Sequence, residues 1–466
     1  MALHTKTIFS SDVLNINRFD AKYYFLQDSI EKYSKKKNCK LLSLGEEDLI
    51  LKMTDGEHAG QVFVEKGILF IKNSSVKDFD ISLNDGFYIS EEKHAKLSRS
   101  ALKKEDVLLT TIGHLGSATI VPDYLGEANI NQNLVKIEVN KNIINPYYLA
   151  AFLNSKFVRR QIDCLFTGNI QPLLSYPKIK SIKILIPDEK VQNEVEFYFK
   201  KAFTFDYEFN ELIKKAKEKL YSLLKLSSFN EVNKKYFDIN LNNITEEKSL
   251  WTPKYHYPKY LAMENYYKDN FETCKIGTIA TCRKGKEVGQ KLYIDYLEKE
   301  ENDVPFVRTS DIYNYQIDSS PDNFVDIFTF RDLNQNIKTN DIIFTKDGKI
   351  GELGIITESD KSILSSGVEI IRINNKGKEK GLTQEYLFIA LSLKEIGVYA
   401  ADRRTVVAST IPHLKEDYLK DFDIPIVAKK DIDEITKIVK LALEKKDNKK
   451  KNIIKIQGMI NNVLDR

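Results

Sequence analysis

The sequence repeats itself at long range, and this repeat restricts the fold more than any other feature of the chain. The stretch EDVLLTTIGHLGSATIV, from Glu105 to Val121, has the pattern of a strand, a glycine-containing loop and a second strand. The stretch NDIIFTKDGKIGELGII, from Asn340 to Ile356, has the same pattern at an offset of 235 residues. A loop that recurs so far along a chain predicts a repeated domain.

Further pairs of segments recur in the same order, with offsets between 229 and 240 residues. DGEHAGQ (Asp55–Gln61) pairs with KGKEVGQ (Lys284–Gln290), and PYYLAAFLNS (Pro146–Ser155) pairs with QEYLFIALSL (Gln384–Leu393). The small changes in offset are those that insertions in surface loops produce. Within each copy, β-branched and aromatic runs alternate with Gly, Asn and Asp, which predicts a domain of mixed strands and helices.

A long periodic segment follows each copy. In Asp188–Leu226, apolar residues recur at steps of four and three, the spacing of a coiled-coil seam. The predicted seam residues are Val191, Val195, Tyr198, Ala202, Phe205, Phe209, Leu212, Ala216, Leu220 and Leu223. The C-terminal segment repeats the pattern with Ile432, Ile435, Val439, Ala442, Ile453, Ile456, Ile460 and Val463. The polar run Lys445–Asn452 interrupts this second seam, and we expect the helix to fray or kink there.

A helix with a single apolar seam must bury it, so each long helix predicts the other as its antiparallel partner. The alternative is that each helix lies on its own domain. The sequence thus predicts an α+β fold with two duplicated mixed α/β domains, residues 1–187 and 229–428. Two long helices, residues 188–228 and 429–466, would separate these domains and pack as an antiparallel coiled coil.

Composition places the chain among globular proteins, with 466 residues, 42% of them hydrophobic and 30% charged. The four cysteines have no zinc spacing and are expected to be free thiols in a reducing cytoplasm. The sequence contains neither a signal-peptide pattern nor an apolar run long enough to span a membrane, so we expect a cytoplasmic protein. The net charge is only +4, and the C-terminal residues 429–466 carry 11 basic and 6 acidic side chains.

Two short patterns suggest catalysis, and each has a simpler interpretation. Asn145–Tyr148 (NPYY) is similar to the motif with which amino-methyltransferases hold a base, but Asn at the N-cap and Pro at the first helical position explain it. Asp322, Asp347 and Lys349 fit a loose metal-dependent nuclease pattern, but the first copy lacks the last two residues. The six histidines have no metal-ligand spacing. The chain is therefore expected to have no catalytic activity of its own.

The loops of the two copies carry polar side chains suited to DNA, and these side chains differ between the copies. Arg and Lys suit guanine edges, Asn and Gln suit adenine edges, and Ser and Thr suit phosphates. The candidates in the first copy are Lys52, His58, Gln61, Lys72, Asn73, Ser74, His114, Asn131, Gln132 and Asn133. Those in the second copy are Arg283, Lys284, Lys286, Gln290, Arg308, Thr309, Ser310, Lys346, Lys349, Arg403 and Arg404. Related scaffolds with different loop residues predict two readers of different DNA sequences.

Taken together, these segments resemble the target-recognition domains of type I restriction–modification specificity subunits. The resemblance rests on MTDGEHAGQVFVEKGILFIKNSSV, EDVLLTTIGHLGSATIV, PYYLAAFLNS and IQPLLSYPKIKSIKILIP in the first copy. NDIIFTKDGKIGELGII and TIPHLKEDYLKDFDIPIV are the same elements in the second copy. The order of domain, helix, domain and helix matches that family over nearly the whole chain. One departure is that the second copy has Lys284–Glu287 (KGKE) where the first has an element containing His58.

The resemblance implies a DNA-binding subunit without its own cofactor. Two methyltransferase subunits would supply S-adenosylmethionine and adenine-N6 methylation, and a translocase–endonuclease subunit would supply Mg²⁺- and ATP-dependent cleavage. Two unlike readers held apart by helices imply a bipartite, asymmetric target with an unread gap of about 10 bp. The alternatives are a recognition subunit of a related defence system, a duplicated protein-binding scaffold, and the nuclease described above.

Overall fold

The computed structural model describes residues 7–10, 20–36, 38–46, 48–58, 60, 62–83, 86–166, 172–229, 234, 236–245, 250–408 and 410–465. The chain forms two compact units. The first contains residues 1–203 and 451–466, and the second contains residues 204–450. Among the described residues, none of the helices has an apolar stretch long enough to cross a bilayer.

The first unit mixes short strands with helices. Its strands are β1 (Cys39–Ser43), β2 (Ile50–Asp55), β3 (Ile68–Ile71), β4 (Val76–Lys77), β5 (Asp80–Ile81), β6 (Phe87–Ile89), β7 (Val107–Thr110), β8 (Ala118–Ile120), β9 (Ala128–Ile130), β10 (Leu134–Val139) and β11 (Lys183–Pro187). Its helices are α1 (Ala21–Ser34), α2 (Glu91–Lys96), α3 (Pro146–Leu153), α4 (Lys156–Leu165), α5 (Tyr176–Ser181) and the first part of α6 (Glu189–Leu223).

The described strands of the first unit form four small sheets. One sheet has the order β2-β10-β7-β8 and a second has the order β6-β3-β9, in which β3 and β9 are parallel. Strand β1 pairs with β11, and β4 pairs with β5. Helix α3 is buried along its whole length because its sequence is almost entirely apolar, and it packs against β7 and β8.

The second unit begins within α6 and ends within the last helix. Its strands are β12 (Glu272–Lys275), β13 (Ala280–Lys284), β14 (Ile294–Asp295), β15 (Val304–Val307), β16 (Ile312–Tyr313), β17 (Gln316–Ile317), β18 (Asn323–Val325), β19 (Ile342–Thr345), β20 (Leu353–Ile355), β21 (Ile363–Leu364), β22 (Val368–Ile373), β23 (Val406–Ala408), β24 (Ile411–His413) and β25 (Asp423–Ile426). Its helices are α7 (Leu241–Thr245), α8 (Pro258–Asn270), α9 (Ile276–Ile279), α10 (Ile327–Leu333), α11 (Asn375–Glu379), α12 (Gln384–Ser392), α13 (Tyr399–Arg404), α14 (Glu416–Lys420) and α15 (Lys429–Asp465).

The sheets of the second unit have the same connectivity as those of the first. One sheet has the order β13-β22-β19-β20, and a second has the order β14-β18-β15-β21 with β15 and β21 parallel. Strand β12 pairs with β25, and β16 pairs with β17. In the second unit, strand β14 also extends the second sheet, and β23 and β24 form a hairpin whose counterpart in the repeat includes residues 167–171, outside the described residues.

Matched side-chain contacts occur at residues that the sequence repeat aligns. The Tyr148 hydroxyl donates to the carbonyl oxygen of Leu185 at 2.6 Å, and the Tyr386 hydroxyl donates to that of Pro425 at 2.7 Å. Both tyrosines are buried, so each hydrogen bond satisfies a phenol inside a core.

The glycine-containing loop, which lies between β7 and β8 in the first unit and between β19 and β20 in the second, is also closed in the same way in each unit. The backbone N–H of Ser117 donates to the Thr110 hydroxyl at 2.9 Å, and that of Glu352 donates to the Thr345 hydroxyl at 2.9 Å. The aligned segments therefore form the same local contacts in each unit.

Both predicted long helices are present, and their buried faces are now defined. In the first unit, Val195, Phe199 and Ala202 of α6 share an apolar core with Ile456 and Ile460 of α15. In the second unit, the two helices again share one apolar core, formed by Phe209, Ile213, Ala216, Leu220, Ile432, Ile435, Val439 and Ala442. The helix segments of the second unit run in opposite directions, because Lys219 pairs with Glu434 and Glu208 pairs with Lys445.

The predicted seam of α6 is displaced by one residue at several positions, although Tyr198, Leu212 and Leu223 still pack against the cores as partly buried residues. The structure buries Phe199, Asp206, Ile213 and Leu224 where the pattern predicted Tyr198, Phe205, Leu212 and Leu223. At three of these positions the two neighbours are both apolar or aromatic, so periodicity alone could not choose between them. At the fourth, the pattern excluded Asp206 because it carries a charge.

The expected fraying of the last helix was also wrong. Helix α15 is continuous from Lys429 to Asp465, through the polar run. Lys449 and Lys450 are buried and pair with Asp206 and Asp360, so the charges that interrupt the apolar seam have carboxylate partners. The polar run is thus part of the packing of this helix.

The simple interpretation of NPYY is confirmed. The Asn145 side chain accepts hydrogen bonds from the backbone N–H groups of Tyr147 and Tyr148, and Pro146 occupies the first turn of α3. The segment that begins at Asn145 forms two helices, α3 and α4, because Asn154 caps the end of α3 and Ser155 caps the start of α4.

Candidate nucleic-acid interface

Four loops of the first unit meet at one edge of its sheets. The backbone N–H of Gln132 donates to the carbonyl oxygen of Glu57 at 3.0 Å, and that of Asn131 donates to the carbonyl oxygen of Ile71 at 3.1 Å. The Asn73 side-chain amide donates to the carbonyl oxygen of Ile112 at 3.2 Å. These bonds bring together the predicted site residues near positions 58, 73, 114 and 132.

Backbone geometry explains why these loops approach so closely. A Cβ atom at Gly56 would lie 2.0 Å from the carbonyl oxygen of Ile130, so only glycine fits between the loops. Gly113 has a φ of +77°, a conformation that glycine adopts without a steric penalty. The strand ends that hold the loops come from the parallel pair β3 and β9, which places Ile71 next to Ile130.

The candidate residues of the first unit have varied surroundings. Lys52, Ser74 and His114 are exposed, and His114 contacts the hydroxyl of Ser117 at 3.0 Å. The Lys72 ammonium lies 3.1 Å from the centroid of the Phe87 ring. Asn131, Gln132 and Asn133 are partly exposed in the loop before β10, and Gln61 lies outside the described residues.

The loops of the second unit meet in the same way. The backbone N–H of Lys286 donates to the carbonyl oxygen of Leu364 at 2.9 Å, and that of Lys346 donates to the carbonyl oxygen of Gly367 at 2.9 Å. A Cβ atom at Gly285 would lie 2.2 Å from the carbonyl oxygen of Ser365, which reproduces the crowding at Gly56. Thr309 is close to both Gly348 and Gly367. Two clusters of loops thus have one backbone framework and different side chains.

The structure also clarifies the position of His58. Its Nδ1 atom lies 2.5 Å from the Gln132 side-chain oxygen, which joins two of the loops. At the aligned position of the second unit, Glu287 accepts hydrogen bonds from the backbone N–H and the hydroxyl of Ser366, at 3.0 and 2.7 Å. Different side chains therefore join the same two loops in each unit.

Most basic candidates of the second unit have partners within it. Arg308 pairs with Asp322 at 3.0 Å, and Lys349 pairs with Glu352 at 3.0 Å. Arg283 and Lys286 donate to backbone carbonyl oxygens at 3.0 and 2.7 Å. The remaining polar candidates, Lys284, Gln290 and Ser310, are exposed. These contacts fix the loop conformations and leave several polar groups facing solvent.

Lys346 points inward. Its ammonium lies 3.6 Å from a carboxylate oxygen of Glu369, whose side chain is 0% exposed. Neither carboxylate oxygen of Glu369 has a hydrogen-bond partner among the described residues. Burial raises the pKa of Glu369 to about 7, and Lys346 opposes this only in part. Lys346 therefore has a structural partner inside the domain.

Arg403 and Arg404 are also buried. Both guanidinium groups pair with Glu264 of α8, Arg404 at 2.8 Å. Burial alone would raise the pKa of Glu264, but Arg404 and Arg403 outweigh it and hold the pKa below its ordinary value. These arginines are exposed by 7% and 4%, so they join α13 to α8.

Sequence reasoning missed two segments beside the loops of the second unit. Residues 365–367 align with Asn131–Asn133, a correspondence that the repeat offset would have identified. The hairpin of β23 and β24 contacts the glycine loop, because the backbone N–H of Gly348 donates to the carbonyl oxygen of Pro412 at 3.0 Å and Asp347 pairs with His413. Val407 and Ile411 of this hairpin are 64% and 59% exposed.

The nuclease pattern has no metal-site geometry in the described part of the chain. No group of three or more His, Cys, Asp or Glu side chains there is arranged to hold a metal ion. Asp322, Asp347 and Lys349 are instead paired with Arg308, His413 and Glu352, respectively.

Part of the chain matches a known protein family. Residues 268–457 match the family model described as the type I restriction modification DNA specificity domain. This segment is thus similar to a type I specificity domain. The chain is 24% identical over 190 residues to the specificity subunit of the type I restriction enzyme EcoBI from Escherichia coli. That alignment spans 40% of this chain and 40% of the length of the relative.

Solved structures of specificity subunits also align with this chain. The type I restriction–modification S subunit from M. genitalium aligns over 92% of this chain and 96% of its own, with 14% identity and a TM-score of 0.37. The HsdS subunit from Thermoanaerobacter tengcongensis aligns over 92% and 97%, with 13% identity and a TM-score of 0.28. The assignment of the specificity domain depends on the sequence match.

Proposed function

We propose that this chain is the DNA specificity subunit of a type I restriction–modification complex. It recognises a bipartite, asymmetric sequence through two different recognition domains and has no catalytic activity itself. The observation that carries the proposal is the pair of loop clusters: one backbone framework, present in each unit, carries different polar side chains. The specificity-domain match over residues 268–457 supports this function for the second cluster.

The duplication of the recognition domain supports the two-part target. The matched sheet orders, the tyrosine–carbonyl bonds of Tyr148 and Tyr386, and the glycine crowding at Gly56 and Gly285 all favour two copies of one domain. The shared cores of α6 and α15 favour the antiparallel coiled coil that would separate the copies. On this proposal the helices set an unread gap of about one DNA turn, or 10 bp.

Partner subunits perform the chemistry on this proposal. Two methyltransferase subunits with S-adenosylmethionine methylate adenine N6, and a translocase–endonuclease subunit uses ATP and Mg²⁺ to restrict unmethylated DNA. The complex acts on double-stranded DNA in the cytoplasm. The small net charge of this chain, +4, fits a subunit whose partners make many of the phosphate contacts.

The test is methylation-sensitive long-read sequencing of DNA from cells that express the chain with its methyltransferase subunit. We expect methyladenine in a two-part motif with one fixed gap. The absence of such a motif, with the two proteins shown to be associated, would contradict the proposal. Retention of association without salt-sensitive DNA binding would instead favour a protein-binding scaffold.

A substitution in one loop cluster assigns that cluster to half of the motif. Lys284→Ala removes an exposed cation beside Gly285 and should relax the bases read in one half by about tenfold, as expected for loss of one base contact. The other half and the gap should not change. Lys378→Ala, at an exposed lysine on α11, is the matched control and should leave both halves unchanged.

A further inference from the structure

A cluster of buried charges interrupts the apolar seam between the helix segments of the second unit. Lys446, Lys449 and Lys450 of α15 are exposed by 0%, 1% and 7%. Asp206 of α6, exposed by 3%, lies at the seam position between Ala202 and Phe209. A buried charge is costly unless it is paired, so these groups restrict how the helices can pack.

The first part of the cluster joins α6 to α15. One carboxylate oxygen of Asp206 accepts a hydrogen bond from the Lys449 ammonium at 2.6 Å and lies 3.5 Å from the Lys446 ammonium. Residues three apart lie on the same face of a helix, so a single acid on α6 faces two lysines on α15. The Lys446 ammonium also lies 4.3 Å from the centroid of the Phe209 ring.

The second part of the cluster joins α15 to the recognition domain of the same unit. The Lys450 ammonium lies 2.7 Å from both carboxylate oxygens of Asp360. Asp447 accepts a hydrogen bond from the backbone N–H of Ser359 at 2.8 Å. Asp360 also accepts the backbone N–H of Thr357 at 2.8 Å, which closes the turn that follows β20. The turn after β20 is therefore bonded to α15 at Asp447 and Lys450, within one helical turn of the bond between Lys449 and Asp206 of α6.

An apolar seam alone does not define one alignment of two helices. Because its residues repeat with a period of seven, a slip by one heptad again places apolar residues opposite each other. In the second unit such a slip would place Asp206 opposite apolar seam residues such as Val439 or Ala442. It would also move the Lys446 and Lys449 ammonium groups away from the Asp206 carboxylate. The charge cluster thus excludes alignments that the apolar residues permit.

We propose that the buried cluster of Asp206, Lys446, Lys449, Lys450 and Asp360 fixes the register of the helices and thereby the gap between the two halves of the DNA target. This inference rests on the function proposed above and assigns the spacing specificity to named residues. If the cluster contributed to stability alone, replacing it would change neither the register of the helices nor the gap. Replacing buried ion pairs by apolar residues of similar size is often neutral or stabilising, so register and stability can be separated.

The main variant replaces the first part of the cluster by leucine: Asp206→Leu, Lys446→Leu and Lys449→Leu. The matched control, Lys219→Gln with Glu434→Gln, removes a 2.8 Å ion pair between the same helices at side chains that are 24% and 58% exposed. Each full-length variant is expressed with the methyltransferase subunit. The readouts are the gap lengths of the methylated motif, the melting temperature, and lysine cross-links between α6 and α15.

We expect the leucine variant to remain folded. It should methylate DNA with additional gap lengths, each at a level at least about tenfold above that of the wild type. A tenfold change corresponds to a modest free-energy difference between registers. The bases read should not change, and the control should keep the native gap. Cross-links should include a second set displaced by one heptad. A folded leucine variant with only the native gap and one set of cross-links would overturn the inference.

Two further outcomes are decisive. If the leucine variant does not fold, Asp206→Asn, which keeps the side-chain size and removes the charge, takes its place with the same criteria. If the wild-type chain produces no two-part methylated motif, the proposed function fails. The cross-links then decide the register by themselves: one set in the variant contradicts the inference, and two sets support it.

Discussion

At the residue scale, the basic side chains of the loop clusters are of two kinds. Some point into the domain and pair with buried carboxylates, and others face solvent. Lys346, Arg403 and Arg404 were predicted to read DNA because they are basic and close to the repeated loops. In the structure all three are buried and paired with Glu369 or Glu264. Exposed candidates such as Lys284 remain the better predictions of DNA contacts, because their charged groups face solvent.

Glu369 gives a prediction about stability and pH. Its pKa is about 7 in the folded protein and 4.5 ordinarily, so the folded state retains a proton that the unfolded state has lost between these values. Its contribution to stability is therefore complete below pH 4.5 and is lost as the pH rises through 7. The wild-type chain should lose on the order of 3 kcal/mol relative to Glu369→Gln as the pH rises from 4.5 to 8.

Denaturant unfolding of both proteins at several pH values measures this difference. Glu298→Gln, at an exposed carboxylate of the same unit, is the control and should show no such trend. Parallel stability curves for the wild type and Glu369→Gln would disprove the prediction.

At the element scale, α6 shows that spacing alone does not decide which of two neighbouring apolar residues is buried in the seam. Both Leu212 and Ile213 are apolar, and both fit a spacing of three or four from their neighbours. Only Ile213 is fully buried, in the core that α6 shares with α15. The choice depends on where the partner helix and the domain lie, which a one-dimensional pattern does not contain.

These neighbours provide a matched test of the seam. Ile213→Ala should destabilise the protein by about 2–5 kcal/mol, because it leaves a cavity in a packed core. Leu212→Ala should cost less than about half as much, because its side chain is partly exposed and can be replaced by solvent. Thermal or denaturant unfolding gives both values, and equal losses would contradict the buried seam described here.

At the scale of the whole molecule, the proposed spacing function depends on helix length. A matched insertion of one heptad in α6 and α15 preserves the seam and lengthens the pair by about 10 Å. This length corresponds to about three base pairs at 3.4 Å each, so the methylated motif should gain about three base pairs in its gap and keep its bases.

Sequencing of methylated DNA measures the gap in the insertion variant. A seven-residue insertion in the exposed loop at positions 297–302 is the control for chain length and should leave the gap unchanged. If the heptad insertion kept the native gap while methylation continued, the helices would not determine the spacing.

The sequence by itself predicted the repeated loops and the existence of both long helices. Glycines at Gly113 and Gly348, which have φ values of +77° and +69°, mark turns that few other residues adopt easily, and Asn145 and Pro146 mark a helix start. The seam residues Ile432, Ile435, Val439 and Ala442 could likewise be predicted from their spacing, and all are buried. These features are local, because they depend on backbone geometry and on residues a few positions apart.

Only the tertiary structure decided which charges are buried and which groups meet. Asp206 and Lys449 are 243 positions apart, and Glu264 and Arg404 are 140 apart, so no periodic pattern could pair them. A charged residue in isolation favours water, and burial becomes tolerable only when a distant part of the chain supplies an opposite charge at close range. The helix was therefore expected to fray or kink at the polar run of α15, whereas the carboxylates of Asp206 and Asp360 make this run part of the packed seam.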